Sequence, residues 1–146
     1  MSFTASARRV DDALQQEIDV NGRHRIVTDE PESLGGADAG PAPHELLPAS
    51  LAGCIGTMLA RFAQLRGWPL GELVVDVDYD PEAVPRRVEV AVRISGDLSD
   101  DQIERLKRVA KTCPVRRALE SDFEFDERFT VVPYLSTARV GGPDTG

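Results

Sequence analysis

Between His44 and Arg66 the apolar residues Leu46, Leu47, Leu51, Ala52, Ile55, Met58, Leu59, Phe62 and Leu65 recur at helical spacing. From Ala49 to Ala60 nearly every face is apolar or small. This stretch constrains the fold more than any other, because a helix that is apolar all round has to be buried. It predicts a long helix surrounded by other elements. Gly53 and Gly56 sit inside it at a cost of about 1 kcal/mol each relative to alanine. Their presence predicts something packed closely against the helix. Gly67, with Pro69 shortly after, ends it in the usual way.

The elements around that helix read as strands joined by turns. Residues 3–10 alternate weakly. Residues 15–20 and 23–28 flank Asn21-Gly22, a pair that tolerates positive φ and marks a hairpin. Residues 29–43 form a loop rich in glycine, proline and acid, long enough to suggest a functional or mobile segment. Residues 73–79 and 87–94 alternate cleanly and predict a second antiparallel pair. Ser99 and Gln102 have capping-box spacing, with Asp100 and Asp101 suited to a helix N-terminus. Pro114 fits the first position of another helix, and residues 128–132 predict a last strand. Hairpins dominate, so the fold class is α+β with antiparallel sheets packed around a long buried central helix.

The chain has 146 residues, which suits one domain over 1–135 and a disordered tail over 136–146. Its formal net charge of −8 disfavours nucleic acid, whose phosphates need clustered cations. The basic residues Arg105, Lys107, Arg108 and Lys111 are most simply the wet face of a helix. There is no unbroken apolar run of about 18 residues, so neither a membrane span nor a membrane partner is expected. The first residues lack the apolar stretch of a signal peptide. The expected compartment is the cytoplasm, where disulfides are not stable structural devices.

Two cysteines are present, Cys54 and Cys113. Cys54 lies within the apolar helix, where a free cysteine is commonly a small buried hydrophobe. Cys113 precedes Pro114 and is a candidate N-cap, a position whose positive partial charge favours a thiolate. With only His24 and His44 as further soft ligands, no zinc-like spacing appears; neither metal nor cofactor is expected. Inert bystanders and a reactive pair both remain open on these grounds. Glu45, after Pro43 at the helix start, complements the helix dipole or holds an active-site cation. Nine residues separate Glu45 from Cys54. At about 100° per residue they lie on opposite faces of a straight helix, so sharing a site would need a bend, which Pro48 could supply.

Taken together, Pro43-x-Glu45-Leu46-Leu47, Ala49-x-Leu51-Ala52-Gly53-Cys54 and Lys111-Thr112-Cys113-Pro114-Val115-x-Arg117-Ala118-Leu119 resemble the OsmC-like family. That family includes osmotically inducible protein C and the organic hydroperoxide resistance proteins. The resemblance covers about residues 18–133. It implies an intertwined homodimer and a thiol-dependent peroxidase acting on organic hydroperoxides through a two-cysteine disulfide cycle. Cys54 would be the peroxidatic cysteine and Cys113 the resolving one. A thiol reductant, such as a dithiol of the lipoyl kind, would close the cycle. Glu45 would hold an arginine that stabilises the thiolate. The family places that arginine in the turn between the first two strands, where residues 10–16 here contain none. Arg8, Arg9, Arg23 and Arg25 are nearby in sequence, and Arg9 and Arg23 are taken as the candidates. The alternative is a non-enzymatic protein of the same fold that binds an apolar small molecule or senses redox state through a reversible disulfide.

Overall fold

A computed structural model describes residues 1–133. They fall into two compact units, one built from Met1–His44 with the chain from Glu124 onward, the other from Glu45–Phe123.

The first unit is an antiparallel sheet in the order β1 (Ala5–Arg9), β2 (Gln16–Val20), β3 (His24–Thr28). Asn21 and Gly22 turn the chain between β2 and β3 with φ of 53° and 69°, the left-handed region that the Asn-Gly pair predicts. Asp19 accepts the Gly22 N–H and pins the turn. The acidic loop after β3 is organised rather than loose. Asp29 is only 2% exposed, and its carboxylate accepts N–H groups from Glu30, Ala37 and Ala39 at 2.8–3.1 Å. A Cβ on Gly36 would lie 1.8 Å from the Glu30 carbonyl oxygen, so only glycine fits that close approach.

This carboxylate supports a prediction. The Ala39 N–H, helped by those of Glu30 and Ala37 and opposed by burial, holds Asp29 below the usual carboxylate range. A depressed folded-state pKa contributes stability above the unfolded value of about 3.9, and that contribution disappears as pH falls below it. Asp29→Asn turns one acceptor oxygen into a donor facing N–H groups. The loop over 29–43 should then become protease-sensitive and exchange its amides faster at neutral pH. In the wild type the same change should appear only below about pH 4. Equal protection of this loop in wild type and variant at pH 7 would contradict the assignment.

In the second unit a two-stranded antiparallel sheet, β4 (Leu73–Asp80) and β5 (Arg87–Ile94), packs against the long helix α1 (Leu46–Arg66). The register pairs Leu73 with Ile94, Val75 with Val92, Val77 with Val90 and Tyr79 with Val88, so one face is wholly apolar. Asp76, Asp78 and Asp80 line the other. Helix α2 (Asp100–Ala110) starts with both hydrogen bonds of the Ser99/Gln102 capping box, and α3 (Pro114–Leu119) starts on Pro114. The core consists of Leu51, Ile55, Leu59, Leu106 and Cys113, with Val75, Val77 and Ile94 beside it. Gly67 closes α1 at φ 63°.

Three expectations change. The helix is not buried all round: Leu51, Ile55, Leu59 and Ala63 are its only buried residues, and Leu65 is 71% exposed. By length and average composition alone α1 could cross a bilayer, but this stripe is packed into the core of the unit. Nothing lies near a Cβ added at Gly53, and Gly56 meets Val75 at an ordinary 3.8 Å, so the chain itself does not crowd these glycines. Residues 128–132 form no strand. A strand needs a neighbour for its backbone groups and a surface for its alternate side chains, and Phe129 at 97% exposure has neither. The stretch expected to be a disordered tail begins at 136 and lies outside the described residues.

Candidate functional site

Cys54 is half-buried midway along α1. Cys113 is the N-cap of α3 and has no solvent exposure. Both α2 and α3 pack on α1, and the short link between them sets Cys113 against Cys54. Both are free thiols, and they lie side by side within hydrogen-bonding reach. Of the expected site residues, these two are brought together directly.

A third group completes the contact. The first turn of a helix leaves its N–H groups without internal partners. Pro114 occupies the first position of α3 and has no N–H. The next residue, Val115, donates its backbone N–H to Cys54. The helix end that the sequence assigns to Cys113 therefore acts on Cys54. The Cys113 side chain makes no capping hydrogen bond of its own. The net effect on Cys54 is nevertheless upward. Burial raises its thiol pKa most, the hydrogen bond with Cys113 adds to this, and Val115 opposes both.

The other expected residues are placed as follows. Glu45 is the N-cap of α1, at the end of a short 3-10 turn over Pro43–Glu45. The helix runs unbroken from Leu46, and Pro48 falls in its first turn, where a missing N–H costs nothing. Pro48 therefore supplies no break between Glu45 and Cys54. Arg9, at the end of β1, donates its Nε to the Ala13 carbonyl at 2.7 Å and a terminal nitrogen to that of Asp12, tying down the β1–β2 turn. Arg23 is exposed in the β2–β3 turn.

A cavity of about 520 Å³ opens between the start of α1, the β4–β5 sheet and α3. Leu47, Pro48, Leu51, Val88, Val90 and Leu119 supply apolar walls; Tyr79, Arg86, Arg116 and Glu120 supply polar groups. Arg116 is paired with Glu120 at 2.8 Å. Leu51 is one helical turn before Cys54, and Arg116 and Leu119 belong to the helix that starts at Cys113. The cavity thus shares two elements with the cysteine pair without being lined by either sulfur. The sequence alone does not single out Val115 or Arg86. The Cys-Pro-Val order carries the first signal, since it puts the first free N–H two residues after the cysteine. Nothing local marks Arg86, whose place depends on the strand pairing.

The OsmC-like protein family model matches residues 35–128. The chain belongs to the OsmC-like family. Solved structures share the fold. An OsmC-like protein from Mycoplasma pneumoniae is 18% identical with a TM-score of 0.63, over 82% of this chain and 86% of that one. An organic hydroperoxide resistance protein OsmC from Legionella pneumophila is 22% identical at a TM-score of 0.55, over 82% and 89%. The organic hydroperoxide resistance protein OhrB of Bacillus subtilis is 19% identical at a TM-score of 0.54, over 84% and 93%. No curated protein matches the chain. Family membership and the adjacent cysteines together place this OsmC-like chain among proteins suited to a redox role.

Proposed function

We propose that this OsmC-like protein is a thiol-dependent peroxidase for organic hydroperoxides, with Cys54 peroxidatic and Cys113 resolving. The observation that carries the reading is the contact between the two sulfurs at the start of α3. The Cys54 thiolate attacks the terminal oxygen of ROOH and the O–O bond breaks. The alkoxide takes a proton and leaves as ROH, and Cys54 becomes a sulfenic acid. The Cys113 sulfur then attacks the Cys54 sulfur; water leaves and a disulfide forms. A dithiol, of the lipoyl kind, reduces the disulfide and is itself oxidised. The apolar walls of the cavity beside Leu51 suit an organic R group better than hydrogen peroxide.

The raised Cys54 thiol defines what the reaction still requires. A thiolate is the nucleophile, so a cation has to offset the burial. By the family resemblance that role would fall to Arg9 or Arg23, with Glu45 holding it. The same raised thiol favours the second reading, a non-enzymatic member of the fold whose cavity binds an apolar molecule. The alkylation rate of Cys54 separates the two. A rate flat from about pH 5 to 7 marks a thiolate and supports the peroxidase. A rate that climbs about tenfold per pH unit up to pH 8 marks an unassisted thiol and supports ligand binding.

Homodimerisation belongs to the same reading, with the cytoplasm as its setting and residues 1–135 as one domain. Gly53 faces open space, and Val88, Val90 and Val92 stay about 40% exposed on an otherwise apolar sheet face. A second copy would cover these surfaces and account for a helix composed to be buried all round. Sedimentation at micromolar concentration should give twice the chain mass of 15.9 kDa; a monomer there would remove this part of the proposal.

A further inference from the structure

Outside the cysteine site, one cluster of side chains has a charge that the rest of the molecule does not explain. Phe62, on α1, carries two guanidinium groups over its ring. The Arg66 Cζ is 3.5 Å from the ring centroid and the Arg105 Cζ, from α2, is 5.6 Å away. Trp68 meets the same ring edge-on at 5.4 Å. One terminal nitrogen of Arg66 donates to the Phe62 carbonyl at 3.5 Å; stacking on the aromatic face holds each guanidinium in place and leaves its remaining N–H groups to bond outward. Four exposed cations of the unit sit in ion pairs: Arg87 with Glu89, Arg93 with Asp76, Lys107 with Glu104 and Arg116 with Glu120. Among the described residues, Arg66 and Arg105 are in no ion pair, although the chain has 25 acidic residues to 17 basic ones.

We infer that Arg66 and Arg105 form an anion-binding clamp for a phosphate- or carboxylate-type oxyanion. Two like charges converging on one ring repel each other, and an oxyanion bound to both removes that repulsion. Planar guanidinium groups match such oxygens with paired N–H donors. The ring and the neighbouring indole supply an apolar floor, so the ligand can be a free anion or the headgroup of a larger molecule. The net charge of −8 repels anions in general, so saturable binding has to come from this local pair.

Trp68 is the only tryptophan, and its contact with Phe62 makes it a reporter. Titration of the full-length protein with inorganic phosphate should change Trp68 emission saturably. The double variant R66Q/R105Q should weaken that binding by about tenfold or more, the loss expected from charge-assisted hydrogen bonds. R61Q, an exposed arginine on the same helix, should leave it unchanged and serves as the control for bulk charge. Vesicles of phosphatidylglycerol, compared with vesicles of phosphatidylcholine, separate a headgroup from a free anion. A response to anionic vesicles alone, lost in R66Q/R105Q, assigns the clamp to a headgroup. No saturable response to either probe overturns the inference, as does an affinity equal in wild type and the folded double variant. Thiol oxidation by hydroperoxide should be the same in R66Q/R105Q and wild type, so the clamp fails or stands independently of the peroxidase reading.

Discussion

Cys54→Ser should abolish dithiol-driven reduction of an organic hydroperoxide, lowering the rate at least about 10³-fold, as loss of a covalent nucleophile generally does. A serine hydroxyl at this site cannot become a sulfenate, and no other cysteine remains except Cys113, which has no solvent exposure. Cys113→Ser should behave differently. Cys54 keeps its place in α1 and the N–H of Val115, so one round of peroxide reduction should survive and leave a sulfenic acid that no neighbouring thiol condenses with. Trapping with a sulfenate-specific reagent checks this. Full multiple turnover by Cys54→Ser would exclude the assigned roles.

The second large effect concerns the scaffold that brings the sulfurs together. Ile55→Ala should destabilise the protein by about 2–5 kcal/mol, read from urea unfolding at fixed protein concentration. Ile55 is 2% exposed and packs with Leu51, Leu59, Leu106 and Cys113. Truncation there opens a cavity directly beneath the contact of α1 with α2 and α3. The expected consequence reaches the chemistry as well, because Cys54 is the preceding residue and its contact with Cys113 depends on that packing. A loss below about 1 kcal/mol would mean that the core is not centred where the buried stripe places it.

Local signals proved readable because their causes are local. The strand over Arg87–Ile94, the Ser99/Gln102 capping box and the start of α3 at Pro114 each follow from neighbouring residues, and each is found where the pattern puts it. The Asn21-Gly22 turn belongs to the same class. What the pattern could not specify depends on partners distant in sequence. The alternation over 128–132 is real, but a strand forms only beside another strand. The composition of α1 asks for cover on every side, and the chain supplies it on one. At the site, the pairing of Cys54 with Cys113 was legible from the resemblance of two motifs. The donor that reaches Cys54 is a backbone N–H, which no side-chain pattern advertises. The Asp29 cage was hidden for a similar reason, since all three of its donors are backbone groups of a loop that reads as mobile.

The central claim is that these two sulfurs form one redox unit. Intact-mass measurement of the reduced protein after one equivalent of cumene hydroperoxide tests it most directly. The account predicts a loss of 2 hydrogens, about 2 Da, with both thiols gone and Cys54 linked to Cys113 in the peptide map. A gain of oxygen on Cys54 with the Cys113 thiol intact, or two thiols that persist unchanged, would contradict it.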